Sequence, residues 1–185
     1  MTDLSLGFDA AYPPGRPYPG ASWAGGYIGG RTRHVWTAAE WNAATSNGRL
    51  RMLPIWVNDG RQGGDQAADA ARAAVELGWS PRFEGKRRRA IVFDLETLVD
   101  PGLVADFAAA LRSYGFVTVP YGSASTVGQN PQCAGRWVAL WDGSALVEGH
   151  AAHQFSANVA FAGGAVDLSV AGPGLRARMG VGARR

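Results

Sequence analysis

The chain of 185 residues holds one cysteine, three histidines, three methionines and a single lysine, and only 18% of its residues are charged. Each scarcity removes a class of explanation. One thiol, Cys133, permits neither an internal disulfide framework nor a multi-cysteine zinc site. No uninterrupted apolar run approaches the roughly 18 to 20 residues of a bilayer-crossing helix, so no membrane partner is expected. The first ten residues lack both a basic segment and an apolar segment, so no signal peptide is expected in the chain as it stands. A hydrophobic share of 46% argues against disorder and for one globular domain. The net charge of +3 comes almost wholly from arginine. Its clusters, residues 86–89 and Arg176, Arg178, Arg184 and Arg185, read as solvated loop and tail, and no nucleic-acid partner is expected.

What is present is punctuation and period. Residues 4–10 read as a short strand running into a proline-rich loop, 12–20, and residues 23–28 as a second strand. Thr37 caps a helix through about residue 46, with Glu40 completing a capping box. Strand 50–57, an alanine-rich helix 62–77, the nearly all-apolar strand 90–95, helix 101–114 and strand 116–121 follow, with one short helical turn expected at 124–129. Strands are then expected at 136–141, 151–155 and 165–170, with gaps too short for packed crossover helices, so at least one of them should run antiparallel. Eight strands close a small barrel. The expected fold class is therefore α/β, a compact TIM-like barrel of about five β/α units followed by three strands with few or no helices. The expected domain division is a barrel over 1–171 and a Gly/Arg-rich C-terminal tail over 172–185, frayed or partner-binding.

The strongest chemical signal is Ile91-Val92-Phe93-Asp94-Leu95-Glu96. Alternation along a strand puts Asp94 and Glu96 on one face, about 6 to 7 Å apart at Cα, so that repulsion and partial burial raise one pKa. A protonated acid beside an ionised carboxylate is what glycoside hydrolysis needs. Asp9 ends the first strand and Asp167 lies in the last, and in a closed barrel these strands are neighbours. Four carboxylates should therefore meet at the mouth where barrel active sites lie. Uncompensated acids are expensive as structure, which favours a functional cause.

Tyr12, Trp23, Trp56, Tyr121 and Trp141 fall at strand ends or in adjoining loops, where rings either pack or stack on sugars. Trp56 with Asn58, and Trp141 with Asp142, are the better sugar contacts because a polar residue follows each ring. Other chemistries find little support. His150 and His153 are spaced badly for a shared metal, His34 reads as a surface residue, Ser123 and Ser125 lack a nucleophile elbow, and Tyr27-Ile28-Gly29-Gly30 is no phosphate loop. No metal and no cofactor are expected.

Taken in order, Gly7-Phe8-Asp9, Tyr27-Ile28-Gly29-Gly30, Leu53-Pro54-Ile55-Trp56-Val57, Phe93-Asp94-Leu95-Glu96, Tyr121, His153-Gln154-Phe155 and Val166-Asp167-Leu168 span almost the whole chain. This set resembles the glycoside-hydrolase-like barrels of actinobacteria and their phages, formerly a domain of unknown function, and more distantly the family 25 lysozymes. The resemblance implies Glu96 as general acid, Asp94 as its partner in stabilising the transition state or positioning a substrate group, and Asp9 and Asp167 as supporting carboxylates. Tyr12, Trp56, Asn58, Tyr121, Trp141 and Gln154 are the expected substrate-binding set, and the resemblance implies the β-1,4 bond of peptidoglycan as substrate. The sequence departs from the lysozymes in Tyr12-Pro13-Pro14 beside Asp9 and in His-Gln-Phe where they tend to have Trp-Gln-Tyr. Two function classes follow: a cell-wall glycan hydrolase, virion-borne or released at the cell envelope, and a non-catalytic glycan-binding or decoration module of a virion or envelope complex, attached through the C-terminal tail.

Overall fold

The computed structural model describes residues 4–83, 87–97, 99–128, 130–140 and 150–181. Eight strands form its ring: β1 (Ser5–Asp9), β2 (Trp23–Gly30), β3 (Arg51–Val57), β4 (Ala90–Asp94), β5 (Val117–Ser123), β6 (Trp137–Ala139), β7 (Ala152–Phe161) and β8 (Gly164–Ala171). Strands β1 to β7 run parallel, and β3 pairs with β4 across the two short ribbon strands that intervene in sequence. Strand β8 is antiparallel to both β7 and β1 and closes the barrel. The expected fold class and the expected antiparallel closure are both found.

Three helices pack outside: α1 (Ala38–Ala44), α2 (Gly63–Glu76) and α3 (Pro101–Ser113). Two of them, α1 and α3, begin at a capping side chain. Thr37 and Glu40 form the capping box of α1, and Asp100 accepts from the Gly102 amide ahead of α3 with Pro101 in the first turn. Gly78 and Gly115, at φ 81° and 88°, take the left-handed conformation that ends α2 and α3. Among the described residues, β2, β3 and β4 are followed by helices packed outside the barrel, and β8 by the short helix Pro173–Arg176. Strand β1 is followed by a proline-rich loop, and β5 by turns where the sequence suggested a short helix.

Alternation along the strands sorts the core into two layers. Trp23, Leu53, Ile55, Val92, Val119 and Trp137 fill the barrel, while Phe8, Trp56, Ile91 and Phe93 face the helices. Phe93 stacks on Phe107 of α3 with ring centroids 4.0 Å apart. The interior is full because β1 and β2 give up side chains where indoles need room. A Cβ on Gly7 would lie 2.0 Å from the Trp23 ring.

The N-terminal end of the barrel is plugged by the segment the sequence set apart as a frayed tail. Helix α4 (Pro173–Arg176) and the strand Gly180–Val181, which pairs with β3, fold back under the barrel. Leu175 and Met179 are 2% and 1% exposed, and their side chains pack into the barrel interior. Arg89, read as solvated, is 8% exposed with its guanidinium over the Trp79 ring.

Candidate active site

At the C-terminal mouth the inward positions change from apolar to acidic. Asp9 of β1 and Asp94 of β4 are 2% and 3% exposed, and Asp167 of β8 is half-buried. Asp9 and Asp167 are direct cross-strand partners, and Asp94 stands opposite Tyr121 of β5. Gly25 on β2, next to Asp9, makes space for this cluster. A Cβ there would come within 3.0 Å of the Asp9 Cβ and 3.1 Å of Ile55 Cδ1.

A short network ties one side of the mouth together. Tyr121 Oη donates to Gln154 Oε1 at 2.8 Å, and Gln154 Nε2 donates to Asp167 Oδ2 at 3.2 Å. The Asn158 amide donates to Asp167 Oδ1 at 2.7 Å, and Gln154 also hydrogen-bonds Asp9. The Oδ1 atoms of Asp9 and Asp94 are buried without a hydrogen-bond partner among the described residues. A buried polar atom without a partner is costly, and in a cleft it marks where a ligand group completes the set.

Burial sets the protonation. Asp94 is pushed up to about 8 by burial and secondarily by the negative charge of Glu96. Burial, then the charges of Asp167 and Asp94, hold the Asp9 carboxyl well above the usual range. Burial also raises Asp167, against the opposing hydrogen bonds from Asn158 and Gln154. Tyr27 and Tyr121 stay as phenols, their ionisation suppressed first by burial and then by the neighbouring aspartates. Near neutral pH the mouth thus presents carboxylic acid and phenol hydroxyls, groups that can donate as well as accept.

The remaining candidates divide. Glu96 lies past the end of β4, where alternation no longer directs its side chain, and it is exposed on the rim above Asp94. Tyr12 is 62% exposed on the loop after β1, its ring stacked on His34. Gln154 and Tyr121 join the aspartates. Trp56 does not: it is 6% exposed on the outer face of β3, and its indole donates to Gln66 of α2 at 3.3 Å. Asn58 is likewise engaged, its Oδ1 accepting from Gln66 Nε2 at 3.0 Å. Trp141 lies outside the described residues. His153 is fully buried and donates to the Leu140 carbonyl at 2.8 Å, apart from the mouth. The sequence reading passed over Tyr27 as a site residue, although period two from Trp23 through Gly25 places it inward.

No protein-family model matches the sequence, and no curated protein does. Solved structures do match. An uncharacterized Bacillus stearothermophilus protein superposes with a TM-score of 0.69 at 15% identity, over 95% of this chain and 99% of that one. The Mycobacterium tuberculosis Tat-secreted protein Rv2525c, solved with L-tartrate, gives 0.64 at 14% identity over 91% and 95%. The modular autolysin LytC of Streptococcus pneumoniae, solved with a synthetic peptidoglycan ligand, gives 0.64 at 13% identity over 91% of this chain and 46% of that one. At such identities the likeness is one of architecture: the chain shares the barrel fold of these structures.

Proposed function

We propose that this protein is a lysozyme-like glycoside hydrolase acting on the glycan of peptidoglycan. The observation that carries the reading is the convergence of Asp9, Asp94 and Asp167 at the barrel mouth, with one buried oxygen of Asp9 and one of Asp94 that no group among the described residues satisfies. The barrel shared with an autolysin solved with a peptidoglycan ligand supports the substrate class.

A glycan polymer lies across the rim, and its glycosidic oxygen reaches the exposed Glu96 more readily than the sunken Asp94. Glu96 is the proton donor to the leaving oxygen. Asp94, held protonated by burial, donates to a substituent that dips into the mouth, and Asp9, Asp167 and the tyrosine hydroxyls orient the same sugar. As the glycosidic C–O bond breaks and positive charge develops at the anomeric carbon, water adds there and returns a proton to the Glu96 carboxylate.

The test is release of soluble muropeptides from purified peptidoglycan by the wild type and by Glu96→Gln, with circular dichroism confirming the fold of both. Product from the wild type and a loss of at least two orders of magnitude in the variant support the assignment. Glycan binding without product from either protein makes this a binding barrel instead.

A further inference from the structure

One sector of the rim, over β7, β8, β1 and β2, differs in character from the mouth it borders. The hairpin joining β7 to β8 carries Phe161 at the end of β7, just before the turn. Tyr18, from the loop after β1, meets Phe161 edge-on at 5.1 Å, and the Arg16 guanidinium sits over the same ring at 5.3 Å. Further round, Tyr12 stacks on His34 at 5.4 Å, and His34 is pinned by Glu40 of α1 at 2.9 Å. The loop after β2 adds Arg31 and Arg33, both exposed. Among the described residues, none of Arg16, Arg31 and Arg33 has a carboxylate within ion-pair distance, whereas Arg61 and Arg72, on the loop after β3 and on α2, are paired with Asp59 and Asp69.

Two ring assemblies, one edge-on and one stacked, and three arginines without a carboxylate partner among the described residues form a surface with two complementary functions. The exposed face of Tyr12 fits the apolar face of a sugar ring, and its backing by His34 holds the ring in place before a ligand arrives. Guanidinium groups favour carboxylates, which they bind in a planar fork. Glu40 already satisfies both His34 and the Thr37 amide, so the cationic loop is built on a fixed helix terminus. The acidic mouth needs a neutral sugar above it, and this sector needs negative charge. One ligand that satisfies both is a glycan whose backbone is uncharged at the reacting bond and whose side groups are anionic.

We infer that the rim sector built from Tyr12, His34, Arg16, Phe161, Arg31 and Arg33 is a specificity subsite for the carboxylate-bearing substituents of a peptide-substituted glycan. The inference rests on the reading of the mouth as a glycan site and adds to it which glycans are preferred. Binding to the full chain is measured by calorimetry with two probes of equal sugar length, chitotetraose, which is neutral, and a tetrasaccharide muropeptide, at about 50 and 300 mM salt.

The muropeptide should bind about tenfold more tightly at low salt, and the preference should shrink at high salt. The triple variant Arg16→Ala, Arg31→Ala, Arg33→Ala should lose the preference while keeping its affinity for chitotetraose. Tyr12→Ala should weaken both probes several-fold, and Tyr12→Phe should restore them. Equal affinity for the two probes, or a preference that survives the triple variant, overturns the inference while muropeptide release by the wild type leaves the hydrolase reading standing. Failure of both probes to bind, with no release, overturns both. Binding of a poly(glycerol phosphate) as tight as the muropeptide also overturns the assignment, because it makes the ligand a phosphate polymer.

Discussion

Replacing Asp94 by asparagine tests the electrostatic account of the mouth directly, because asparagine keeps the shape and removes the titration. In the folded chain Asp94 is raised from 3.8 to about 8. The folded state therefore holds its proton more tightly than the unfolded chain does, and stability falls as pH rises through that interval. The sign is opposite to that of a salt-bridged carboxylate, whose contribution is lost on acidification. At about 1.36 kcal/mol per pH unit, the interval between 3.8 and about 8 amounts to at most about 5 to 6 kcal/mol of lost stability. That is of the order of the whole stability of a small domain, so a fraction of it is measurable. Urea unfolding of wild type and Asp94→Asn at pH 4, 5, 6, 7 and 8 gives the difference directly. The two should be close at pH 4, and the variant should gain steadily, becoming more stable by several kcal/mol at pH 8. Loss of the charge in Asp94→Asn also relieves Asp9, whose proton Asp94 helps to retain, and this adds in the same direction. A difference independent of pH would refute the claim that burial keeps this group protonated.

Three further expectations concern the scaffold and the glycan contacts. Trp56→Phe should lower stability by about 1 to 3 kcal/mol through lost contact with Gln66 and α2, yet leave muropeptide affinity unchanged; a loss of affinity at constant stability would return Trp56 to the substrate groove. Gly7→Ala should cost about 3 kcal/mol or more and shift Trp23 fluorescence, since the new methyl occupies the indole's space, and an unchanged melting temperature would contradict the packing described. Deleting residues 173–185 should unplug the barrel, with loss of buried Leu175 and Met179 costing about 2 to 5 kcal/mol each. A truncated chain as stable as the full one would mean that the segment is peripheral after all.

Much of the scaffold was legible because it is local. Thr37 with Glu40, Pro101 after Asp100, and the glycines after α2 and α3 are helix signals written within a few residues of one another. The run Ile91-Val92-Phe93 reads as a doubly covered strand, and the short gaps between the strands expected at 136–141, 151–155 and 165–170 leave no room for packed crossover helices. Strand β7 was read too short, because after Phe155 its residues alternate in exposure as a projecting hairpin does, without the apolar face that marks a core strand. The course of residues 172–181 is not legible in the sequence for a related reason. Leu175 and Met179 are two isolated apolar residues among glycine and arginine, and only a barrel with an open lower end gives them somewhere to go.

The site shows the same division. Period two along a strand determined that Asp94 and Phe93 face opposite ways, and closure of eight strands determined that Asp9 and Asp167 meet. Whether a strand continues long enough for alternation to reach the next residue is not a local property. β4 ends at Asp94, so Glu96 rides on the rim instead of joining the interior, and β3 turns Trp56 outward toward α2 while Tyr27 of β2 turns in. Sequence specified the acids, their spacing and the helix boundaries, because these follow from neighbours in the chain. Tertiary structure alone decided which acids are buried, which keep their protons and which rings face the mouth, because desolvation and facing depend on segments that are far apart in sequence and adjacent only in the closed barrel.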